Sequence, residues 1–539
     1  MGADEKQHVA AVPDGMSVHD GVSYESTTDS DNPYGIRRGL KSHHIQLLAI
    51  SGVIGTGLFV GTSSVLNSAG PAGLLIGYSV WCILLLCVAH AMGEMSAFLP
   101  VPGSFVTHIG RFIDESSSVA MGWVYAYSMI FVAADCTALT GLWSYWFPDI
   151  NPGVWVACTL SVVFVLNCLA VKYFGEVEFC ASIFKVFLVI GFLLFAFIVV
   201  VGGNPQHDRI GFRYWYDPGA FNTQYVGGNA GRFLAIWGVF NTAAFAIGGP
   251  DFIANCAPEA VNPRRNIPKA VRRVIYRLIF FFILSVFAVG LLVPYNDPVM
   301  LTAIASGNGV AKSPFIIAMN RLDIPFLPDL CNALVITSAW SCTNCLLFQA
   351  SRTVFGLAKN GRAPRILAKT TKSGVPLPAL ILSIAVSSLA FMTCNTASAV
   401  VLNWFINLGS TAIMIAYILM MVANLRFHQG LKVQGIDVSV LPFRSRLTPY
   451  SNYFAIFWVT LILLTNGYGV FIDGHWSFSG FFSAYFTIVF FIAIYVSWKI
   501  VKRAPFIKPE NMDFQTGLAE VEAHERSLNY VKPSSRYER

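Results

Sequence analysis

Charge is scarce in this chain. Of its 539 residues, 12% are Asp, Glu, Lys or Arg and 55% are hydrophobic, whereas soluble globular domains carry about 25% charged residues. So little charge cannot coat several water-facing domains of this combined length, which makes lipid the first solvent to consider. The first 44 residues are polar and rich in Asp, Ser, Gly and His, and they lack the apolar core of a signal peptide. A disulfide framework is also missing, because most of the eleven cysteines lie inside apolar runs and read as small packing residues. Cys342 and Cys345 form a CxxC with no second ligand pair nearby in sequence, which argues against a metal centre. No soluble segment shows a basic stripe interleaved with aromatics, so a nucleic-acid partner is not expected. The net charge of +7 needs another explanation.

What the sequence does have is long apolar runs. Ile183 to Val201 and Leu278 to Val293 are continuously apolar over helical lengths, unlike the short alternating segments of barrel strands. A span needs roughly 20 apolar residues to cross the bilayer core. The chain supplies twelve: 45–69, 73–98, 119–146, 153–171, 178–202, 232–257, 274–294, 331–357, 376–394, 398–423, 451–472 and 478–500. An even count puts both tails on one side. Lys and Arg crowd Arg37–Lys41, Arg264–Arg277, Arg352–Lys372, Arg426–Arg446 and Lys499–Lys508, while the opposite loops offer little beyond Arg209, Arg213, Lys312 and Arg321. The positive-inside rule therefore predicts cytosolic tails at 1–44 and 502–539, and it accounts for the excess charge. The tails are places where cytosolic regulatory partners could bind.

Two spans carry interruptions. Ser51-Gly52-Val53-Ile54-Gly55-Thr56-Gly57 places three glycines in six positions within span 1, each costing about 1 kcal/mol relative to Ala in a helix interior. A small-residue packing face would use the same residues. In span 6 the interruption is Gly248-Gly249-Pro250-Asp251, where proline removes a backbone donor and an acid sits at membrane depth. Breaks in spans 1 and 6 are what an inverted repeat of five plus five helices produces, here 45–202 and 232–424, with a site at the midplane between them. A half-helix starting near Thr56 exposes N–H groups that suit a carboxylate, and the other break frees carbonyls that suit an ammonium. A zwitterion such as an α-amino acid matches both.

Several motifs in order resemble the yeast-type amino acid permeases of the amino acid, polyamine and organocation superfamily. They are IGTGLFVG at 54–61, Gly93-Glu94-Met95, Pro102-Gly103-Ser104-Phe105, Pro258-Glu259-Ala260 with Asn262-Pro263-Arg264-Arg265, Ala350-Ser351-Arg352, Gly374-Val375-Pro376, Arg426-Phe427, Gln434-Gly435 and Pro442-Phe443. The resemblance implies an all-α membrane protein of twelve helices, a five-plus-five repeat with helices 1 and 6 broken and two helices added at 450–501. It further implies a secondary permease in the plasma membrane, importing an amino acid with protons as coupling ion and no other cofactor. By motif, the substrate carboxylate would meet Ile54, Gly55, Thr56 and Gly57, and its ammonium Phe245, Ala246 and Ile247. Where the family shows Gly-Thr-Glu in span 6, this chain has Gly249-Pro250-Asp251, and Asp135 falls where many of its members carry Glu.

Among polar residues at membrane depth, Lys185 follows the family-like Gly175-Glu176 and Glu178. A cationic amine is costly in hydrocarbon, so it is the candidate for proton coupling, with snorkelling to the cytosolic face as the alternative. Asp135 and Asp251 are candidates for substrate contact or for bonds to a neighbouring helix. Asn344 is expected in the pocket, or bonded to a helix backbone. The resemblance suggests that Glu94 and Glu259 hold an inner gate; solvated helix-end acids are the alternative. His90 reads as a satisfied core histidine rather than a relay. Cys331 and Cys394 could meet near one membrane face. Aromatics such as Trp143, Trp146, Trp155, Trp476 and Trp498 sit near span ends, as interfacial belts against membrane lipid do.

Other functions compete. A membrane nutrient sensor would keep the site but is expected to carry a longer cytosolic extension. An integral-membrane enzyme would need a cluster of His, Cys or Asp at one face, which the loops do not supply. γ-Aminobutyrate, a polyamine or another amine metabolite remains open as the substrate.

Overall fold

The computed structural model describes residues 52, 54–101, 103–128, 130–169, 171–305, 313–396, 398–518, 521, 522 and 526. The expected tail at 1–44 lies outside them. Nine helices among the described residues are long and apolar enough to cross a membrane, and Pro152–Cys168 and Tyr450–Leu464 are shorter apolar helices. Among the described residues, each expected span coincides with helix over part or most of its length. The longest helix, Gly61–Phe98, contains a non-helical residue at Gly70, followed by Pro71, so it holds the end of span 1 and all of span 2.

The interruption expected in span 6 is present, and among the described residues of span 1 a helix begins at Thr56–Phe59 after an extended Gly55 and continues from Gly61. Span 6 ends its first half, Gly228–Ala246, at an extended Ile247 and restarts at Pro250–Cys256. Gly249 has φ 123°, a conformation that L residues with a Cβ avoid, and Pro250 then opens the new half-helix, where its missing N–H costs nothing. The break is thus written in two adjacent residues.

Around these breaks span 2 packs along span 6, and span 10 (Ser398–Val433) packs on spans 2, 3, 6, 11 and 12. Span 8 (Leu327–Lys359) lies against spans 3, 5 and 9. Spans 5 (Val171–Val201) and 12 (Phe478–Lys502) turn apolar side chains outward, among them Phe184, Phe187, Phe197 and Ile500. That pattern suits lipid rather than water.

Capping sets several starts. Asn151 accepts from Gly153 N ahead of Pro152–Cys168, and Asp114 accepts from Ser117 N at 2.7 Å to begin span 3 at Glu115. Asp114 also takes Lys499 Nζ at 2.6 Å, which ties span 12 to the start of span 3.

The segment expected as a tail beyond 502 is packed as far as 518. Ile507 N donates to Ile113 O, Gln434 Nε2 donates to Pro509 O and Met512 O, and the Phe514 ring meets Phe112 and Phe427. Cys331 and Cys394 are both free thiols.

Candidate functional site

A cavity lies between the two breaks, lined by Gly55, Thr56 and Gly57 of span 1 and by Ala244, Phe245 and Ala246 of span 6. The breaks touch. A Cβ on Gly57 would lie 2.5 Å from Ala246 Cα and 3.2 Å from its nitrogen, so only glycine lets the two backbones approach this closely. At the start of Thr56–Phe59 the amides of Thr56, Gly57 and Leu58 precede the first helical hydrogen bond, made by Phe59 N to Gly55 O. At the end of Gly228–Ala246 the last such bond is Ile247 N to Ala243 O, which leaves the carbonyls of Ala244, Phe245 and Ala246 without helical partners. Donors and acceptors therefore face one space from opposite helix ends.

Two carboxylates line the same cavity, and no Lys, Arg or His does among the described residues. Asp135, from span 3, accepts a short hydrogen bond from the Thr56 hydroxyl and a longer one, 3.5 Å, from Thr343 Oγ1. Asp251 stands in the first turn of the half-helix Pro250–Cys256, which leads on to the basic helix Pro263–Arg272. Its Oδ2 is 2.6 Å from Tyr125 Oη, and its Oδ1 accepts from Gly249 N at 3.3 Å. Tyr125 also lies 3.0 Å from Gln349 Oε1 and accepts from Asn255 Nδ2 at 3.3 Å. Tyr417, from span 10, completes this floor. Phe131, Phe245 and Phe252 supply apolar wall, the rings of Phe131 and Phe245 being 5.3 Å apart.

Span 8 fixes the unwound part of span 1. Ser338 Oγ donates to Ile54 O at 3.2 Å, and Cys342 Sγ to Gly52 O at 3.4 Å. Its next face serves span 5: Glu178 accepts from Ser341 Oγ at 2.5 Å and from Asn344 Nδ2 at 2.6 Å, while Asn167 Nδ2 donates to Asn344 Oδ1 at 2.6 Å.

The structure brings Gly55, Thr56, Gly57, Asp135, Phe245, Ala246 and Asp251 together around the cavity. It places three other expected contacts elsewhere. Ile54 is buried off the cavity, with its carbonyl taken by Ser338. Ile247 is also off it, and its carbonyl accepts from Trp81 Nε1 at 3.3 Å. Asn344 points toward span 5, because two residues along a helix from Cys342 is about 200° around the axis. Tyr125, Gln349, Tyr417 and Cys342 line the cavity but were absent from the sequence-derived site. The signal was available for span 8, since Cys342, Leu346, Gln349 and Ala350 follow the spacing of one helical stripe.

Lys185 is buried in span 5 and acts electrostatically on Asp135 and Cys342. Glu94 is not a solvated helix-end acid but fully buried. It accepts from His428 Nε2 at 2.7 Å, Asn424 Nδ2 at 3.0 Å and Ser445 N at 2.6 Å, tying span 2 to span 10 and the loop beyond. Glu259 is buried too, 3.5 Å from Arg352 Nε, whose guanidinium lies over the Phe348 ring at 3.8 Å. His90 meets the Phe443 ring and lies away from the cavity.

Comparison with known proteins agrees with this architecture. The amino acid permease family model matches residues 44–509. The proline-specific permease of Saccharomyces cerevisiae is 38% identical over 94% of this chain and 82% of its own length. That of Emericella nidulans is 40% identical over 90% and 89%. The dicarboxylic amino acid permease of Saccharomyces cerevisiae is 34% identical over 94% and 83%. Among solved structures, the Eremococcus coleocola manganese transporter, in complex with an aromatic bis-isothiourea substituted compound, superposes with a TM-score of 0.54 at 12% identity. That alignment covers 89% of this chain and 96% of the transporter. At this identity the likeness speaks to fold alone.

Proposed function

This chain belongs to the amino acid permease family, and from that premise we propose that it imports an α-amino acid, proline first among candidates, together with protons by alternating access. The observation that carries the reading is the cavity into which one helix start and one helix end open. Amides of Thr56 and Gly57 receive the carboxylate, and the carbonyls of Phe245 and Ala246 receive the ammonium. Each charge-assisted hydrogen bond is worth about 1.5–3 kcal/mol, so a zwitterion is held with no cationic side chain in the wall. The aromatic wall of Phe131, Phe245 and Phe252 suits a small apolar ring. The names of two relatives, proline-specific permeases at 38% and 40% identity, point to the same solute.

Alternating access needs a closure on either side of the site. Asp251, Tyr125, Gln349 and Tyr417, contributed by spans 6, 3, 8 and 10, form the closure toward the basic face. Lys185 is the proton-coupling candidate because it is buried beside Asp135 at the span 1 break. Glu94 and Glu259 hold the inner ends of their spans. Placement in the plasma membrane, cytosolic tails with their regulatory partners, and lipid contact at spans 5 and 12 belong to the same proposal.

Uptake of a panel of labelled amino acids into permease-deficient cells tests it. Accumulation of proline, or of another neutral amino acid, that grows as the outside is acidified supports the reading. Wild-type chain at the cell surface that raises uptake of none of the panel overturns it.

A further inference from the structure

The phenol of Tyr125 has one hydrogen and two lone pairs, yet three partners surround it: Asp251 Oδ2 at 2.6 Å, Gln349 Oε1 at 3.0 Å and Asn255 Nδ2 at 3.3 Å. Asn255 donates through its amide. The single phenol hydrogen cannot go to both the carboxyl and the amide oxygen. At the same time Gln349 Nε2 is buried with no hydrogen-bond partner, although Gln349 lines the cavity.

With the Asn255 amide donating as it stands, two arrangements satisfy this count. With a proton on Asp251, the carboxylic acid donates to Tyr125 Oη, the phenol donates to Gln349 Oε1, and Nε2 faces the cavity as a donor. Without that proton, the phenol donates to Asp251 Oδ2 and the Gln349 amide turns over. Its Nε2 then donates to the free lone pair of Tyr125, and Oε1 faces the cavity as an acceptor. One proton enters or leaves through the cavity; the Tyr125 hydrogen and the Gln349 amide change partners with it, and the bond from Asn255 stays. We propose that Gln349 is a proton-governed specificity residue, its side-chain amide offering the solute a donor when Asp251 is protonated and an acceptor when it is ionised. This rests on the cavity being the substrate site.

The consequence is a coupling between proton and solute of the kind a symporter needs. A carboxylate-bearing solute gains a donor when the proton is present. It loses that donor, and meets a nearby negative charge, once the proton leaves. The titratable groups around Asp251 are Tyr125 of span 3, Tyr417 of span 10 and Cys256 of its own half-helix. Asp135 and Cys342 line the same cavity farther along. Tyr417 interacts with the Asp251 carboxyl through its own phenol, as a donor there, so it does not compete for the Tyr125 hydrogen.

The test is infrared difference spectroscopy of the full chain in lipid nanodiscs between about pH 7.5 and about pH 5. Wild type, Asp251→Asn, Tyr125→Phe and Gln349→Met are compared. The expected result is a carboxylic acid band and a glutamine side-chain band that titrate together. The acid band vanishes in Asp251→Asn and the amide band in Gln349→Met, while in Tyr125→Phe the amide no longer follows the acid. An amide band that is silent in wild type, or that still follows the acid in Tyr125→Phe, overturns the proposal. These readings need no substrate, so a wild-type chain that transports no amino acid counts against the permease reading and not against the relay.

In uptake, the apparent affinity for labelled L-proline is expected to rise roughly tenfold on acidification, the worth of one charge-assisted hydrogen bond. Inhibition by pyrrolidine, an amine with no carboxylate, should not gain in the same way. In Gln349→Met the rise shrinks to within about twofold. A Gln349→Met variant with the full wild-type rise contradicts the inference.

Discussion

Thr56, the first residue of the helix that follows the glycines of span 1, donates its hydroxyl to Asp135 of span 3. This one bond joins the helix start that follows the glycines to a carboxylate lining the cavity. A buried carboxylate that loses a donor costs about 1–3 kcal/mol or more. Thr56→Val, which keeps the shape and deletes the hydroxyl, is therefore expected to lower uptake efficiency about tenfold or more at unchanged surface abundance. Uptake corrected for surface biotinylation measures it, and wild-type efficiency would remove Thr56 from the site.

Gly57 is required by contact rather than by backbone angle. Its missing Cβ would press on Ala246 backbone atoms, which cannot yield as the end of a side chain can. Gly57→Ala should insert into the membrane normally and lose transport by at least about tenfold, because a shift near 1 Å misplaces both sets of binding groups. Retained transport would mean that the two breaks do not meet during the cycle.

Lys185 is buried and acts electrostatically on Asp135. Lys185→Met is expected to abolish accumulation driven by a pH gradient while leaving exchange of labelled for unlabelled amino acid measurable. Accumulation that still follows the gradient would refute its coupling role.

Glu94 gathers donors from His428, Asn424 and the Ser445 amide. Glu94→Ala leaves all three without their acceptor, at a cost of about 3 kcal/mol or more. The apparent Tm in detergent should fall by several degrees, with Glu94→Gln falling less. Equal Tm values for Glu94→Ala and wild type would show that these ends of spans 2 and 10 are held by other contacts.

His108 lies in the short helix Ser104–Phe112 between spans 2 and 3, buried and 2.8 Å from Leu99 O through Nε2. Burial lowers its pKa from 6.5 to about 4. The folded form therefore holds the neutral ring, and the stability it contributes is complete above the unfolded value and is lost as pH falls from 6.5 toward about 4. Thermal unfolding in detergent should show a lower Tm at about pH 5 than at about pH 7, and His108→Gln should flatten this difference, since glutamine does not titrate. An equally steep loss in the variant would place the sensitive group elsewhere.

Much of this architecture is legible in the amino acids alone. Apolar length gives the spans, and local chemistry gives the breaks, because Gly249-Pro250 and the glycines at 52, 55 and 57 act on the backbone where they stand. Asp135 and Asp251 are legible for a related reason, as acids in hydrocarbon demand a purpose. The closure is less so. Tyr125, Gln349 and Tyr417 come from three spans far apart in sequence, and a tyrosine or glutamine in an apolar run looks the same whether it faces a cavity or a neighbouring helix. Asn344 shows the converse: its polarity is real, but the rotation of span 8 spends it on Glu178. The packing of residues 504–518 was hidden because its partners, Arg111, Arg426 and Gln434, donate to backbone carbonyls, which carry no sequence signature.

The central claim is that the two broken helices hold one amino acid between them, and a cryo-electron microscopy map of the full chain in nanodiscs with saturating L-proline tests it most directly. The account predicts density in the cavity with its carboxylate against the Thr56 and Gly57 amides and its nitrogen toward the Phe245 and Ala246 carbonyls. Proline bound elsewhere, or the two breaks closed into continuous helix with the cavity gone, would contradict it.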